Sequence, residues 1–159
     1  MSNNGDILNA ITQRLQSITV ANGYPITVKT VEGNKGRILQ GISVNKLPYI
    51  DVINGGNTVL KYNIGNVINC KFDVTLRLVQ PKVASDDDMG TFEACVLRCL
   101  FGNSYSSPQT NAKRLPYNGK ELISYMEYIV THTDYNMIEA NRMWDINISC
   151  FYSRDLNAF

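Results

Sequence analysis

The chain has 159 residues, an apolar fraction of 44% and a formal net charge of +1 at pH 7. A length of this order predicts one domain, 1–159, with roughly two-thirds of its unfolded surface buried on folding. The balance of fifteen basic and fourteen acidic residues argues against a general electrostatic attraction to nucleic acid or to an anionic membrane surface.

The N-terminal sequence carries no targeting pattern. Residues 1–6 lack the basic start and apolar core of a secretory signal, and no stretch approaches the ~20 apolar residues that cross a bilayer. We therefore expect the protein to fold in a cytoplasm and to have no membrane partner.

An amphipathic helix is predicted for about residues 6–20, where apolar residues recur at helical spacing: Ile7, Leu8, Ile11, Leu15 and Ile18. Asp6 is placed to cap its start, and Gly23 is placed to end it. Alternation from Tyr24 then predicts a strand that reaches about Val31.

The next segment, 32–46, is rich in Gly, Asn and Lys and predicts an exposed loop or a small hairpin arm, with a weak strand signal at 38–44. A short strand is predicted at 47–53. The Asn54-Gly55-Gly56-Asn57 sequence is typical of a turn, which would make 58–62 the second half of a hairpin. A further turn is predicted at 63–66.

The clearest pattern in the chain is the alternation from Ile68 to Leu78. One side of this predicted strand is apolar and the other polar, as in a sheet with one buried face; the apolar side carries Ile68, Cys70, Phe72, Val74, Leu76 and Leu78. Pro81 would end the strand because proline has no N–H to donate.

A second helix is predicted from Ser85 or Asp86 to about Phe101. Its buried side is formed by Met89, Phe92, Val96, Leu97 and Leu100. The run Asp86–Asp88 lies in its first turn, where the helix dipole favours carboxylates.

A long loop is predicted at 103–119, followed by two closing strands at 122–130 and 142–152. The apolar side of the last strand carries Trp144, Ile146, Ile148, Cys150 and Tyr152. Together the elements predict an α+β fold: a mainly antiparallel sheet, two helices packed on one face, and long loops.

No grouping typical of catalysis, cofactor binding or metal binding is present. His132 is the one histidine, with Asp134 the obvious local carboxylate, and an exposed turn explains this pair better than a catalytic site does. Helix capping likewise explains Asp86–Asp88 better than a divalent-metal site. The glycines at Gly33 and Gly36 lack the spacing of a phosphate-binding loop.

The four cysteines are interpreted as small buried apolar residues rather than as zinc ligands or a disulfide. They are Cys70, Cys95, Cys99 and Cys150. The nine tyrosines favour an interaction protein over an enzyme, since exposed tyrosines are common anchors of protein interfaces. We expect no enzymatic activity and no cofactor.

The order of elements resembles the tail terminator and tail-completion proteins of long-tailed bacteriophages. The resemblance covers nearly the whole chain and is based on element order and pattern rather than on a diagnostic motif. The segments that carry it are Ile7–Ile18 with Gly23-Tyr24-Pro25, Leu47–Val52, Cys70–Leu78, Asp86–Leu100 and Met143–Ile148.

The resemblance implies a structural virion protein of the tail or neck, assembled in the host cytoplasm. Such a protein forms a homo-oligomeric ring, commonly a hexamer, on the last ring of the tail tube. It stops tube polymerisation there and presents a surface to the head-completion or stopper protein, with the sheath as a further partner. DNA would only pass through the lumen, whose lining is expected to be neutral or acidic, with Asp86–Asp88 as candidate contributors.

The long loops 33–46 and 103–119 are the interface candidates, because of their length and polarity. Arg37, Lys46, Lys113 and Arg114 are placed to reach acidic partners, although ordinary solvated charges explain them equally well. A ring requires each subunit to join two different surfaces, and an open sheet would leave edge strands for neighbours to cover.

Two other classes of function remain open at this point. Another neck, tail-adaptor or baseplate protein would fit the same pattern, since fold and position in a virion are separate matters. A small cytoplasmic ligand-binding or enzymatic domain would instead require a concave pocket with converging polar groups. Nucleic-acid binding is disfavoured by the balanced charge.

Overall fold

A computed structural model describes residues 3–33, 42–62, 67–102, 115–131 and 141–155. The predicted α+β fold is confirmed: five strands form a mixed, mostly antiparallel sheet, and two helices cover one of its faces. The helices are α1 (Asn3–Leu15) and α2 (Asp86–Phe101). None of the helices in the described ranges is long and apolar enough to span a membrane.

The sheet has the strand order β1-β2-β3-β7-β6. Its strands are β1 (Thr30–Gly33), β2 (Tyr49–Tyr62), β3 (Val67–Pro81), β6 (Tyr125–Thr131) and β7 (Asn141–Asp155). Only β1 and β2 run parallel; every other neighbouring pair is antiparallel. Two short strands, β4 (Pro116–Tyr117) and β5 (Lys120–Glu121), form a separate hairpin.

The core lies between the helices and the apolar side of β3 and β7, here called the inner face. Alternation along β3 holds from Val67 to Leu78, and the predicted apolar residues from Ile68 to Leu78 are all buried. Phe72 and Leu76 on β3 join Phe92 and Val96 on α2 in one apolar cluster. This packing holds both helices on the inner face.

The first helix differs from its prediction at both ends. It begins at Asn3, so Asp6 lies within the first turn and does not cap the start. It ends at Leu15 rather than near residue 20, because the chain turns there, with the Ser17 hydroxyl donating to the Arg14 carbonyl. Gly23, in the left-handed conformation at φ 88°, instead ends a separate short helical turn, Val20–Asn22.

The strand predicted from Tyr24 forms only at its end. Residues 24–29 make no regular ladder; the Val28 N–H donates to the Ile18 carbonyl, and the Lys29 N–H donates to the Pro48 carbonyl. Strand β1 starts only at Thr30, where the chain comes alongside β2.

The turn predicted at Asn54–Asn57 is wrong. Strand β2 runs without interruption through these residues, and the pairing with β3 shifts between Asn54 and Gly56. The two glycines form a bulge in a long strand, which is the other common role of glycine between strand residues. The turn predicted at 63–66 lies outside the described residues.

A second, smaller core covers one end of the opposite face of the sheet, here called the outer face. It consists of Ile42, Leu47, Tyr49, Val79 and Met143. The Asn141 side chain holds the crossing segment, accepting from the Ile42 N–H at 2.8 Å and donating to the Ile42 carbonyl at 3.3 Å. The weak strand signal at 38–44 fails at its end, since Val44–Lys46 is a short helical turn; residues 34–41 lie outside the described ranges.

The later elements agree closely with prediction. Helix α2 is capped by Ser85, β6 begins three residues later than predicted, and β7 extends to Asp155. Of the long loop 103–119, residues 103–114 lie outside the described residues, and the remainder includes β4.

Candidate interaction surface

The outer face of the sheet carries a row of polar pairs between its two longest neighbouring strands. Side chains of β3 bond to the residues directly opposite on β7: Thr75 with Asn147 at 2.9 Å, Asp73 with Ser149 at 2.8 Å, and Asn69 with Ser153 at 2.9 Å. These polar groups therefore satisfy one another across the two strands.

The strongest pair on the outer face joins Arg77 to Asp145. The guanidinium donates twice, from Nε to Oδ1 at 2.8 Å and from a terminal nitrogen to Oδ2 at 3.1 Å. The Asp145 side chain is only 9% exposed and that of Arg77 is 25% exposed. A two-pronged contact of this kind fixes both side chains as well as attracting them.

Strand β6 forms one edge of the sheet, and no described strand pairs with its other side. Apart from the exposed Glu127, its exposed side chains are apolar or aromatic: Ile129 is 67% exposed and Tyr128 48% exposed. Tyr125 stacks on Phe151 with ring centroids 4.4 Å apart and an interplanar angle of 10°. Tyr128 contacts Phe101 of α2 at 4.9 Å between centroids, so aromatic contacts fix this edge.

The far half of β2 forms a second open edge. Strand β1 pairs only with Tyr49–Val52, and no described strand pairs with β2 from Ile53 onward on that side. Val59 and Leu60 lie here, 45% and 50% exposed. A second shift in the β2–β3 pairing falls between Val59 and Lys61, so Leu60 is a bulge residue.

The Gly55 bulge depends on the absence of a side chain. A Cβ atom at this position would lie 2.9 Å from the backbone oxygen of Asp73 and 3.2 Å from its Cβ. Strands β2 and β3 therefore approach each other too closely for a side chain at the point where β2 leaves the cover of β1.

The predicted interface residues are only partly placed. Lys46 lies half-buried in the short helical turn that crosses the outer face. Arg37, Lys113 and Arg114 lie outside the described residues, and their role stays a prediction.

Sequence reasoning missed the two apolar edges. The available signal was the adjacent apolar pairs Val59-Leu60 and Tyr128-Ile129, which interrupt strict alternation.

The three consecutive aspartates act at the start of α2. The Asp88 N–H donates to the Ser85 hydroxyl, and the Asp88 carboxylate accepts from the Ser85 N–H at 3.0 Å. Ser85 lowers the pKa of the Asp88 carboxyl below its ordinary value. The hydrogen bond from the Ser85 backbone N–H contributes most, followed by the Ser85 hydroxyl. Asp86 pairs with Arg142 of β7. Capping is therefore confirmed, and both contacts lie on the side of the sheet that carries the helices.

The cysteines are buried and free, as predicted. Burial raises the pKa of Cys150 to about 12, with a smaller contribution from the Asp73 carboxylate. Burial also raises the pKa of Cys99, whose thiol donates to the Arg14 carbonyl at 3.1 Å. No group of three or more His, Cys, Asp or Glu side chains within the described ranges is arranged to hold a metal; His132 is outside them.

A concave surface of about 350 Å³ lies beside the start of α2. Its polar side chains are Gln80, Asp88 and Thr91, and the Asp88 carboxylate is already bonded in the cap. The rest of the wall is mainly aliphatic: Ile26, Pro81, Val83 and Ala84.

No protein-family model matches the chain, and no curated protein matches it.

Proposed function

We propose that this chain is a structural virion protein that forms a ring at the end of a phage tail tube, where it stops tube polymerisation and joins the tail to head-completion proteins. The element order supports this proposal. The resemblance to tail terminators is based on a helix, a strand, a hairpin, a long strand, an acid-capped helix and two closing strands. The structure keeps this order, except that the single strand β2 replaces the predicted hairpin.

The observation that carries the proposal is the pair of open, apolar sheet edges. Soluble proteins normally protect edge strands with charges, prolines or covering segments. Here five of the eight large hydrophobic residues that are exposed in the described ranges lie on β6 or on the far half of β2: Val59, Leu60, Tyr125, Tyr128 and Ile129. A subunit that is to be covered on two sides by neighbours needs such edges.

The two edges are chemically and structurally different, which favours a cyclic assembly. A two-fold dimer buries the same surface on both subunits, whereas a ring joins one surface to a different one. In such a ring, the polar outer face would line the solvent-filled lumen. Among the described strand residues of this face, acidic side chains outnumber basic ones: Lys71 and Arg77 lie beside Asp73 and Asp145, with Asp51 opposite Arg77 and Glu127 opposite Ser149. A lining of this charge suits passage of DNA without tight binding.

The test is the addition of the purified protein to tail tubes assembled from the tube protein of the same phage. The proposal predicts that electron microscopy shows one ring on one end of each tube and that tube growth stops at that end. Rings that form but bind elsewhere on the virion would instead indicate a neck, tail-adaptor or baseplate protein. A protein that neither binds tubes nor changes their length would overturn the proposal.

A further inference from the structure

We infer that neighbouring subunits join strand to strand, with β6 of one copy pairing antiparallel to the far half of β2 in the next copy. The partner is therefore a second copy of this chain, and the contact extends one sheet from subunit to subunit. This inference rests on the proposed ring and specifies which surfaces close it.

Strand directions permit this contact. In the order β2-β3-β7-β6, every neighbouring pair is antiparallel, so β6 runs opposite to β2. Rotation about an axis roughly parallel to the strands leaves strand direction unchanged. The β6 strand of one copy would consequently meet an oppositely directed β2 strand of the next, and an antiparallel ladder can form.

The two open edges also lie at the same height in the sheet. Ile129 is opposite Asn147, Asn147 is opposite Thr75, and Thr75 is opposite Ile53. In the same way Tyr125 connects through Phe151 and Lys71 to Thr58, a row given by the register of the three strand pairs. A contact between edges at one height favours closure into a ring over a climbing filament.

The side chains on both edges fit a shared contact. Ile129 and Tyr128 on one edge, and Val59 and Leu60 on the other, are each about half exposed or more. A two-fold contact between two β6 strands would cover the first pair and leave the second in water. In the contact between different edges, Ile129 meets β2 at the level of Ile53, while Val59 and Leu60 lie beside the start of β6, next to the level of Tyr125. This contact therefore reaches both apolar pairs, at roughly 25 cal/mol for each Å² of apolar surface covered.

Rotational symmetry also turns the same face of every subunit's sheet toward the same side of the ring. All helices would lie on one side of the continued sheet, and the polar row that includes Thr75 and Asn147 would lie on the other. Asp86–Asp88 would then lie on the helical side, away from the polar face that lines the lumen, since Asp86 contacts Arg142 there.

Two blocked variants test this arrangement. The first carries Tyr128→Lys and Ile129→Lys on β6, and the second carries Val59→Lys and Leu60→Lys on β2. Lysine is a residue that natural proteins use to protect edges, and all four positions are solvent-exposed enough for folding to be retained, which circular dichroism would check. Val83→Lys is the matched control, because Val83 is 93% exposed and lies on neither edge.

We expect wild type and the Val83→Lys control to form the same oligomer, and each blocked variant alone to be monomeric. Mixing the two variants in equal amounts should give a dimer of twice 17.8 kDa, because one intact β6 edge then meets one intact β2 edge. Mass photometry or light scattering at fixed total concentration would measure all five samples.

Other outcomes would overturn the inference. Blocked variants that still form rings would show that other surfaces close them. A β2-blocked variant that dimerises alone would indicate a two-fold β6 contact, and a mixture that stays monomeric would exclude the edge contact. Rings that form as inferred but fail to cap tail tubes would overturn the proposed function and leave the edge contact intact.

Discussion

At the scale of single residues, Gly55 is the position where the sequence pattern and the structure differ most usefully. Two adjacent glycines between asparagines are typical of a turn, yet here they allow a bulge. The difference arises because the contact that requires a glycine is made with Asp73 on the neighbouring strand. A contact between segments distant in sequence leaves no signal in a local pattern.

Gly55→Ala should therefore lower the stability of the protein. The added Cβ would lie 2.9 Å from a backbone oxygen, and overpacking of this kind costs about 1–3 kcal/mol. Gly90→Ala in α2 is the matched control, since its Cβ meets nothing within 4 Å and alanine is favoured over glycine in a helix by about 1 kcal/mol. Urea unfolding at one protein concentration would measure both; equal stability of the two variants would contradict the bulge argument.

Asp145→Ala should destabilise the fold by leaving the Arg77 guanidinium without its two-pronged acceptor. Hydrogen bonds to charged groups contribute about 1.5–3 kcal/mol, and the partial exposure of Arg77 places the expected loss toward the lower end of that range. Asp145→Asn should lose less, because the amide oxygen can still accept one of the two bonds. An Asp145→Asn variant that is as unstable as Asp145→Ala would contradict this account of the pair.

Single residues also show which burial states could be predicted from the sequence pattern. The buried state of all four cysteines followed from their positions on apolar strand and helix sides. The exposure of Ile129 did not, because a strand sequence does not reveal whether its outer edge is covered. The charge of Lys46 and its place in a loop predict an interface residue, but its side chain lies half-buried beside the second core.

At the scale of elements, strongly periodic segments were predictable and weakly periodic ones were not. Strand β3 and helix α2 combine a consistent apolar side with clear end signals, Pro81 and Ser85. Strand β1 has no such pattern of its own, since its few residues become a strand only by pairing with β2. Tertiary contact decides structure where local preference is weak.

The start of α2 should respond to pH in a defined direction. The pKa of Asp88 is lower in the folded protein than its ordinary value of 3.8, because the Ser85 N–H and hydroxyl bond to it. The charged carboxylate therefore stabilises the fold fully above that ordinary value, and the stabilisation is lost as pH falls through the lower folded pKa. NMR titration of the Asp88 carboxyl in wild type and in Ser85→Ala would measure this. A slightly higher pKa is expected in the variant, because it loses the hydroxyl and keeps the backbone N–H that makes the larger contribution. An unchanged pKa would contradict the contribution of the hydroxyl.

The packing of the helices on the inner face predicts a large loss on truncating Phe72. Its side chain is fully buried in the middle of β3 and in the cluster with α2. Phe72→Ala should cost about 3–5 kcal/mol through lost burial and the remaining cavity. Thr75→Ala, on the opposite face of the same strand, should cost about 0.5–1.5 kcal/mol as a lost hydrogen bond. Comparable losses in thermal or urea unfolding would show that the two faces do not differ as described.

At the scale of the whole molecule, the layout determines what the surface can do. Helices cover one face and paired polar side chains fill much of the other. Within the described residues, most of the large apolar side chains that remain exposed lie on two edges. The fold class could be predicted because it depends on the number and order of periodic segments. The edges could not, because they depend on which strand ends up outermost and on how far β1 covers β2.

The central claim is that this chain closes into a ring through its two sheet edges. The most direct measurement is the mass of the purified wild-type protein in solution, combined with negative-stain imaging of the same sample. We predict one species with a mass several times 17.8 kDa and a central hole. A two-fold dimer, or a protein that remains at the monomer mass at its highest soluble concentration, would contradict the claim.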